Sequence, residues 1–130
     1  MRRYALAVIA VLAVAFGGSQ AAGAAGSKSV KVTAGKPSEF SFTLSSKRLA
    51  LGTVTFTVTN SGAITHDFKV CSAPSAKATK TTCTGKGTAK LSPHKTLKMK
   101  VTFKKKGSYE YLCTVPGHAA AGMRGIVKVV

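Results

Sequence analysis

The stretch Gly52-Thr53-Val54-Thr55-Phe56-Thr57-Val58-Thr59-Asn60 decides the fold of this chain. Val54, Phe56 and Val58 fall at every second position, and the threonines between them are good strand formers. Successive side chains on a strand point to opposite faces, so this alternation means one buried face and one wet face. That is the pattern of antiparallel strands packed on one side. The same period recurs on both sides of it. Val30, Val32 and Ala34 alternate with Lys31 and Thr33, and Phe40, Phe42 and Leu44 with Ser41 and Thr43. Leu97, Met99, Val101 and Phe103 alternate with Lys98, Lys100 and Thr102. Gly35-Lys36-Pro37, Asn60-Ser61-Gly62, Ser92-Pro93 and Lys106-Gly107 punctuate these runs with turn residues. Further strands are expected over 64–71, 107–113 and 125–130. The Ser/Thr/Lys/Ala-rich stretch 72–87 is expected to be an exposed loop, the place for a short helix or mobility. Seven to eight short strands at this spacing predict an all-β fold, a Greek-key β-sandwich.

A chain of 130 residues provides one domain. Twenty Lys and Arg against three Asp and Glu give a formal charge of +17. A hydrophobic share of 45% separates it from a disordered polycation, which lacks the apolar content to fold. Trp is absent and 7% of residues are aromatic, so Val, Leu, Ile, Ala and Phe must supply the core. A large multi-substrate enzyme does not fit in such a chain. A carrier, a binding module or a single-site protein does.

The front of the chain reads as an address. Arg2 and Arg3 precede an uncharged run from Tyr4 to Phe16, followed by small residues around Ala22-Gly23-Ala24. A basic start, a short apolar run and small residues at a cleavage site make a secretory signal. The run of 13 residues is short of the 20 or so needed to span a bilayer. We expect 1–25 to be removed and 26–130 to form an exported domain of the periplasm, cell envelope or exterior. There the positive charge does not point to nucleic acid, and no aromatic-basic interleaving supports base stacking. It suits an anionic envelope surface or an acidic protein partner, and solubility alone would also account for it.

The chemistry concentrates near the C-terminus. In Tyr109-Glu110-Tyr111-Leu112-Cys113-Thr114-Val115-Pro116-Gly117-His118-Ala119-Ala120-Ala121-Gly122-Met123, a cysteine, a histidine and a methionine stand five residues apart. Upstream lies His66, in Ile64-Thr65-His66-Asp67-Phe68. Singly each is ordinary: a buried free cysteine, a loop histidine, a core methionine. Together, a thiolate, two imidazoles and a thioether form a soft-leaning donor set. Trigonal His₂Cys with a weak axial Met is the arrangement of a mononuclear copper electron-transfer centre. His94, in Ser92-Pro93-His94-Lys95, has no partner pattern and reads as a turn residue. Cys71 and Cys83 can pair in an oxidising compartment. That bridge would contribute about 3 kcal/mol by closing a loop of a dozen residues. A second metal site or two free thiols is the alternative.

The pattern Gly107-x-Tyr109-x-Tyr111-x-Cys113-x-x-Pro116-Gly117-His118-x4-Met123-x-Gly125, with His66 upstream, resembles the blue copper proteins. These are the cupredoxins of the plastocyanin and azurin kind. The resemblance implies a Greek-key sandwich with one Cu(I)/Cu(II) ion at one end, bound by His66, Cys113, His118 and Met123. It also implies redox protein partners. Four residues separate each ligand pair on the loop, a spacing similar to that of auracyanins and rusticyanins. Asp67 stands where most of the family carries Asn. An ionised carboxylate only accepts hydrogen bonds, so it can still take them from Thr114. Its charge near copper should favour Cu(II).

From Tyr111 to Met123 no residue carries a formal charge. Val115, Pro116 and Ala119 to Ala121 should surround His118 with a weakly apolar patch, suited to the small interfaces of transient redox encounters. Lysines outside it could steer a partner with an acidic docking surface. The resulting expectation is a monomeric electron shuttle. A copper carrier or envelope copper buffer would use the same ligands. Enzymatic chemistry fits poorly, because four protein ligands leave no open position for substrate. A binuclear copper centre would need a second loop cysteine, and no Ser/His/Asp grouping stands out.

Overall fold

The computed structural model describes residue 18 and residues 25–130. The expected leader, 1–25, lies outside the described residues apart from positions 18 and 25. In chain order the strands are β1 (Ser29–Ala34), β2 (Phe42–Leu44), β3 (Arg48–Leu49), β4 (Gly52–Asn60) and β5 (Lys69–Pro74). They continue with β6 (Gly85–Gly87), β7 (Thr96–Phe103), β8 (Gly107–Leu112) and β9 (Arg124–Val129). Two short strands, β3 and β6, take the count among the described residues to nine, past the expected seven to eight. One sheet has the order β2-β1-β4-β7 and the other β3-β9-β8-β5-β6, and they pack as an all-β sandwich.

The alternation of 52–60 is realised as expected. Val54, Phe56 and Val58 are buried while the threonines between them face outward. They meet Val70, Tyr109, Tyr111, Val127 and Val129 of the opposite sheet, and Phe68 just before β5, in one core. Phe68 sits at its centre, with ring centroids 5.2 Å from Phe42, 5.4 Å from Phe56 and 5.4 Å from Tyr111. Offset and edge-on ring contacts at such distances stabilise beyond the area they bury. The Tyr111 ring crosses directly over Gly125, where a Cβ would lie 2.3 Å from the phenolic oxygen. Only glycine fits there.

Several expectations need correction. Not all pairings are antiparallel: β1 runs parallel to β4, and β3 to β9. Alternation reports which face is buried, not which way a neighbour runs. Strand β2 begins at Phe42, not Phe40, because Ser38 and Ser41 close a turn through Ser41 Oγ, which donates to the Ser38 carbonyl at 2.7 Å. His66 lies before β5 in an isolated bridge with Leu91, not inside a strand. Leu97 is exposed, whereas Met99 and Phe103 on the same face of β7 are buried. The 72–87 stretch contains no helix. It completes β5, forms β6, and folds over the outer face of β8. There Glu110 is fully buried, with one oxygen accepting the Lys80 N–H at 2.8 Å. The disulfide Cys71–Cys83 anchors this segment, and it packs with Leu112 and Ala119.

The topology also places the loops that matter. Because β1 and β4 are parallel, with Ala34 opposite Asn60, both end at the same edge of the sandwich. Lys69, at the start of β5, is paired with Leu112, at the end of β8. The segments 35–41, 61–68 and 113–123 are thereby gathered at one end.

Candidate metal centre

The 113–123 loop is closed by its own backbone. Cys113 N donates to the Met123 carbonyl at 3.0 Å, Met123 N to the His118 carbonyl at 3.0 Å, and His118 N to the Val115 carbonyl at 3.1 Å. Gly117 (φ 83°) and Gly122 (φ 110°) take the left-handed conformations that let this tight loop turn. The regular spacing of Cys113, His118 and Met123 therefore returns all three to one place. His66 arrives from the other side. Its backbone exchanges two hydrogen bonds with Leu91, of 3.1 and 2.7 Å. The Asn60 side chain fixes the approach, donating to the Ile64 and Leu91 carbonyls at 2.8 Å each and accepting from Gly62 N at 2.9 Å.

The donor atoms converge. His66 Nδ1 and His118 Nδ1 are 3.1 Å apart, Cys113 Sγ is 3.5 Å from His118 Nδ1, and all three lie within 4.8 Å of one another. Bonds of about 2.0–2.3 Å from one ion to nitrogen and sulfur span triangle edges of about this length. The donor set thus fits a single metal ion. Met123 is fully buried beside Cys113 and Ala34. His66 and Cys113 are likewise buried, and His118 keeps 8% of its surface exposed. His66, Cys113, His118 and Met123 form a typical blue copper ligand set.

Electrostatics act differently on each donor. Burial pushes the Cys113 thiol up to about 11, although the N–H groups of Asp67 and Val115 pull the other way. Without metal the sulfur is therefore a thiol at neutral pH, and a bound cation must displace its proton. Burial, and then the neighbouring His66, hold His118 below the usual imidazole range, which keeps its lone pair available. For Asp67, burial pushes upward, but the hydrogen bonds from Thr114 and the Lys90 ammonium outweigh it and the net shift is down. Asp67 accepts from Thr114 N at 2.6 Å, from the Thr114 hydroxyl, and from Lys90 Nζ at 3.2 Å. Its own N–H points at Cys113 Sγ, 3.5 Å away.

Two neighbours of the site were not expected from the sequence. Glu39 Oε1 lies 2.7 Å from His66 Nε2. The Ala63 N–H first, and then His66, hold its carboxyl below the usual range. Phe40, 40% exposed, stands edge-on to the His118 ring at a centroid distance of 5.1 Å. Both belong to the turn that cut short the expected strand. Within the expected patch, Pro116, Ala120 and Ala121 are exposed, but Ala119 is buried against Leu112 and the disulfide. His94 is an exposed turn residue with φ 66°, as its sequence context suggests.

Among curated proteins none matches the sequence. Solved structures do match in fold. The reduced auracyanin of Roseiflexus castenholzii is 20% identical, with 81% of this chain and 98% of that one covered at a TM-score of 0.62. Auracyanin A of Chloroflexus aurantiacus, a "blue" copper protein, is 21% identical, with 81% and 100% covered at 0.59. Rusticyanin from Thiobacillus ferrooxidans is 27% identical, with 78% and 76% covered at 0.57. Residues 28–130 match the copper-binding plastocyanin/azurin family as a whole. With donor set, sandwich and sequence in agreement, the chain belongs to the plastocyanin/azurin family of copper-binding proteins.

Proposed function

We propose that the protein is an exported shuttle passing single electrons through one copper ion held by His66, Cys113, His118 and Met123. The observation that carries this reading is the buried convergence of two imidazoles and a thiol beside Met123, with only the His118 edge reaching the surface. Copper, when bound, supplies a centre that changes by one electron. The Cys113 thiolate selects copper over hard cations, and Met123 supports the reduced state. The loop hydrogen bonds hold the donors in place, so little rearrangement opposes the change of charge. His118, rimmed by Phe40, Pro116, Ala120 and Ala121, is the route to a partner. Of the chain's three acids, Asp67 is 5% exposed and Glu110 fully buried, leaving a surface almost free of negative charge. That suits an acidic docking surface or an anionic envelope. The leader pattern of 1–25 and the Cys71–Cys83 bridge favour an oxidising compartment outside the cytoplasm. We assign the protein no enzymatic role, since four protein ligands leave no open metal position.

Voltammetry of the copper-loaded protein tests the shuttle. It should cycle reversibly at one potential, whereas surrender of copper to a competing chelator on reduction would favour the carrier instead. Ala120→Glu should slow exchange with the physiological partner at least several-fold and leave the visible spectrum unaltered. Unchanged exchange rates would remove the patch from the route. Asp67→Asn should raise the potential by up to about 59 mV, a tenfold change in relative affinity for the two oxidation states. Lys90→Gln should move it the opposite way, because Lys90 offsets the Asp67 charge. A constant potential in both variants would refute the charge effect.

A further inference from the structure

We propose that Glu39 is a positioning residue for the copper centre, its carboxylate holding the Nε2 hydrogen of His66 and so aiming the His66 Nδ1 lone pair at the metal. This role rests on the copper site proposed above.

His66 is fully buried, and each ring nitrogen has its own neighbour. Nε2 faces Glu39 Oε1 at 2.7 Å, and Nδ1 faces His118 Nδ1 at 3.1 Å. An ionised carboxylate can only accept a hydrogen bond, so the short contact requires hydrogen on Nε2. A neutral imidazole protonated there carries its lone pair on Nδ1, the atom that faces the other donors. Such a carboxylate partner fixes both the tautomer and the ring orientation, and makes the imidazole a stronger ligand.

The fold is shaped around this contact. The parallel pairing of β1 with β4 lays the 35–41 turn beside the 61–66 segment. Glycines let the two approach. A Cβ on Gly35 would lie 2.5 Å from Gly62 Cα, and one on Gly62 would lie 2.2 Å from Glu39 Oε1 and 2.9 Å from His66 Nε2. The Ala63 N–H donates to Glu39 at 3.0 Å and the Ile64 N–H at 3.3 Å, so the carboxylate is anchored before it meets the ring. The chain has three acidic residues, and two of them adjoin the donor cluster: Glu39 at His66, and Asp67 at Thr114 and Cys113.

Long-range proton–nitrogen NMR of the copper-free wild-type protein should show hydrogen on His66 Nε2, hydrogen-bonded to Glu39. In Glu39→Gln the Nε2–H resonance should move upfield as its hydrogen bond weakens. Loaded with copper, Glu39→Gln should keep its visible absorption but bind Cu(II) about 10–100-fold more weakly. Cu(I) affinity should fall less, so the potential rises. Glu39→Asp, which keeps the charge but is one methylene shorter, should restore the potential only in part. A wild-type His66 with hydrogen on Nδ1 and none on Nε2 overturns the proposal. So does a Glu39→Gln protein with the same Nε2–H shift and the same ratio of Cu(II) to Cu(I) affinity. If wild-type protein takes up no copper, the proposed function falls and this role with it. The tautomer measurement needs no metal and separates that failure from a misplaced Glu39.

Discussion

Cys113→Ser is expected to give a folded protein that stays colourless with Cu(II), where the wild type turns intensely blue or green. The sulfur is the donor that selects copper and gives the short covalent bond behind the colour. Removing a mere outer partner of a ligand costs about 10–100-fold in affinity, so loss of the thiolate itself should exceed a hundredfold. The fold should survive. Serine is smaller than cysteine, and the Asp67 N–H that now points at Sγ can donate to its hydroxyl. The pH dependence separates this from simple damage. Because burial raises the thiol to about 11, metal uptake at neutral pH must expel its proton. Apparent affinity of the wild type should therefore climb about tenfold per pH unit until that pKa is reached. In Cys113→Ser this part of the slope should disappear. A variant that still colours, or that keeps the slope, would place the copper elsewhere. The metal-free variant should melt close to the metal-free wild type, and a collapse there would point to structural loss instead.

The parts of this site that the sequence exposes are those whose chemistry depends on residue type and local spacing. Cys113, His118 and Met123 lie on one loop, and nothing but the loop's own hydrogen bonds is needed to bring them together. The buried faces of β1, β4 and β7 follow from alternation for the same local reason. Glu39 and Phe40 escape that logic. Phe40 continues the period of Phe42 and Leu44, and so reads as a core position. What removes it from the strand is a turn closed by Ser38 and Ser41, which sets it against His118 instead. Glu39 reaches His66 across 27 positions, and only the parallel pairing of β1 with β4 makes them neighbours. Periodicity is blind to that direction. Scarcity was the available signal: with three acids in the chain, each had to have a reason. Glu110 shows the same limit. It occupies an outward strand position, yet the disulfide-anchored segment folds across it and buries it completely.

Phe68→Ala is expected to cost the metal-free protein about 3–5 kcal/mol, the usual range for emptying a fully buried phenylalanine site. A domain this size is stable by only about 5–15 kcal/mol. At about 4–8 °C per kcal/mol for a domain near 100 residues, the melting temperature should fall by more than about 12 °C. The position matters as much as the size. Phe68 follows His66 by two residues, and its ring touches Phe42, Phe56 and Tyr111. Phe42 packs in turn against both the main core and the Ala34–Cys113–Met123 cluster, so a cavity at Phe68 frees a residue that bears on the ligands. The backbone there stays tied, since Phe68 and Thr88 exchange hydrogen bonds of 3.0 and 3.2 Å independent of the ring. The variant should therefore still bind copper, and binding should return about 4 kcal/mol when free metal is a thousandfold above its dissociation constant. Its spectrum or potential should shift. Phe103→Ala supplies the contrast. Phe103 pairs opposite Gly52, at the start of β4 and so roughly 27 Å along the strand from Asn60. Its loss should lower the melting temperature and leave the copper signals alone. If the two variants perturbed the metal centre equally, the link through Phe42 would be wrong. If metal-free Phe68→Ala melted within a few degrees of wild type, the core would not be organised around that ring.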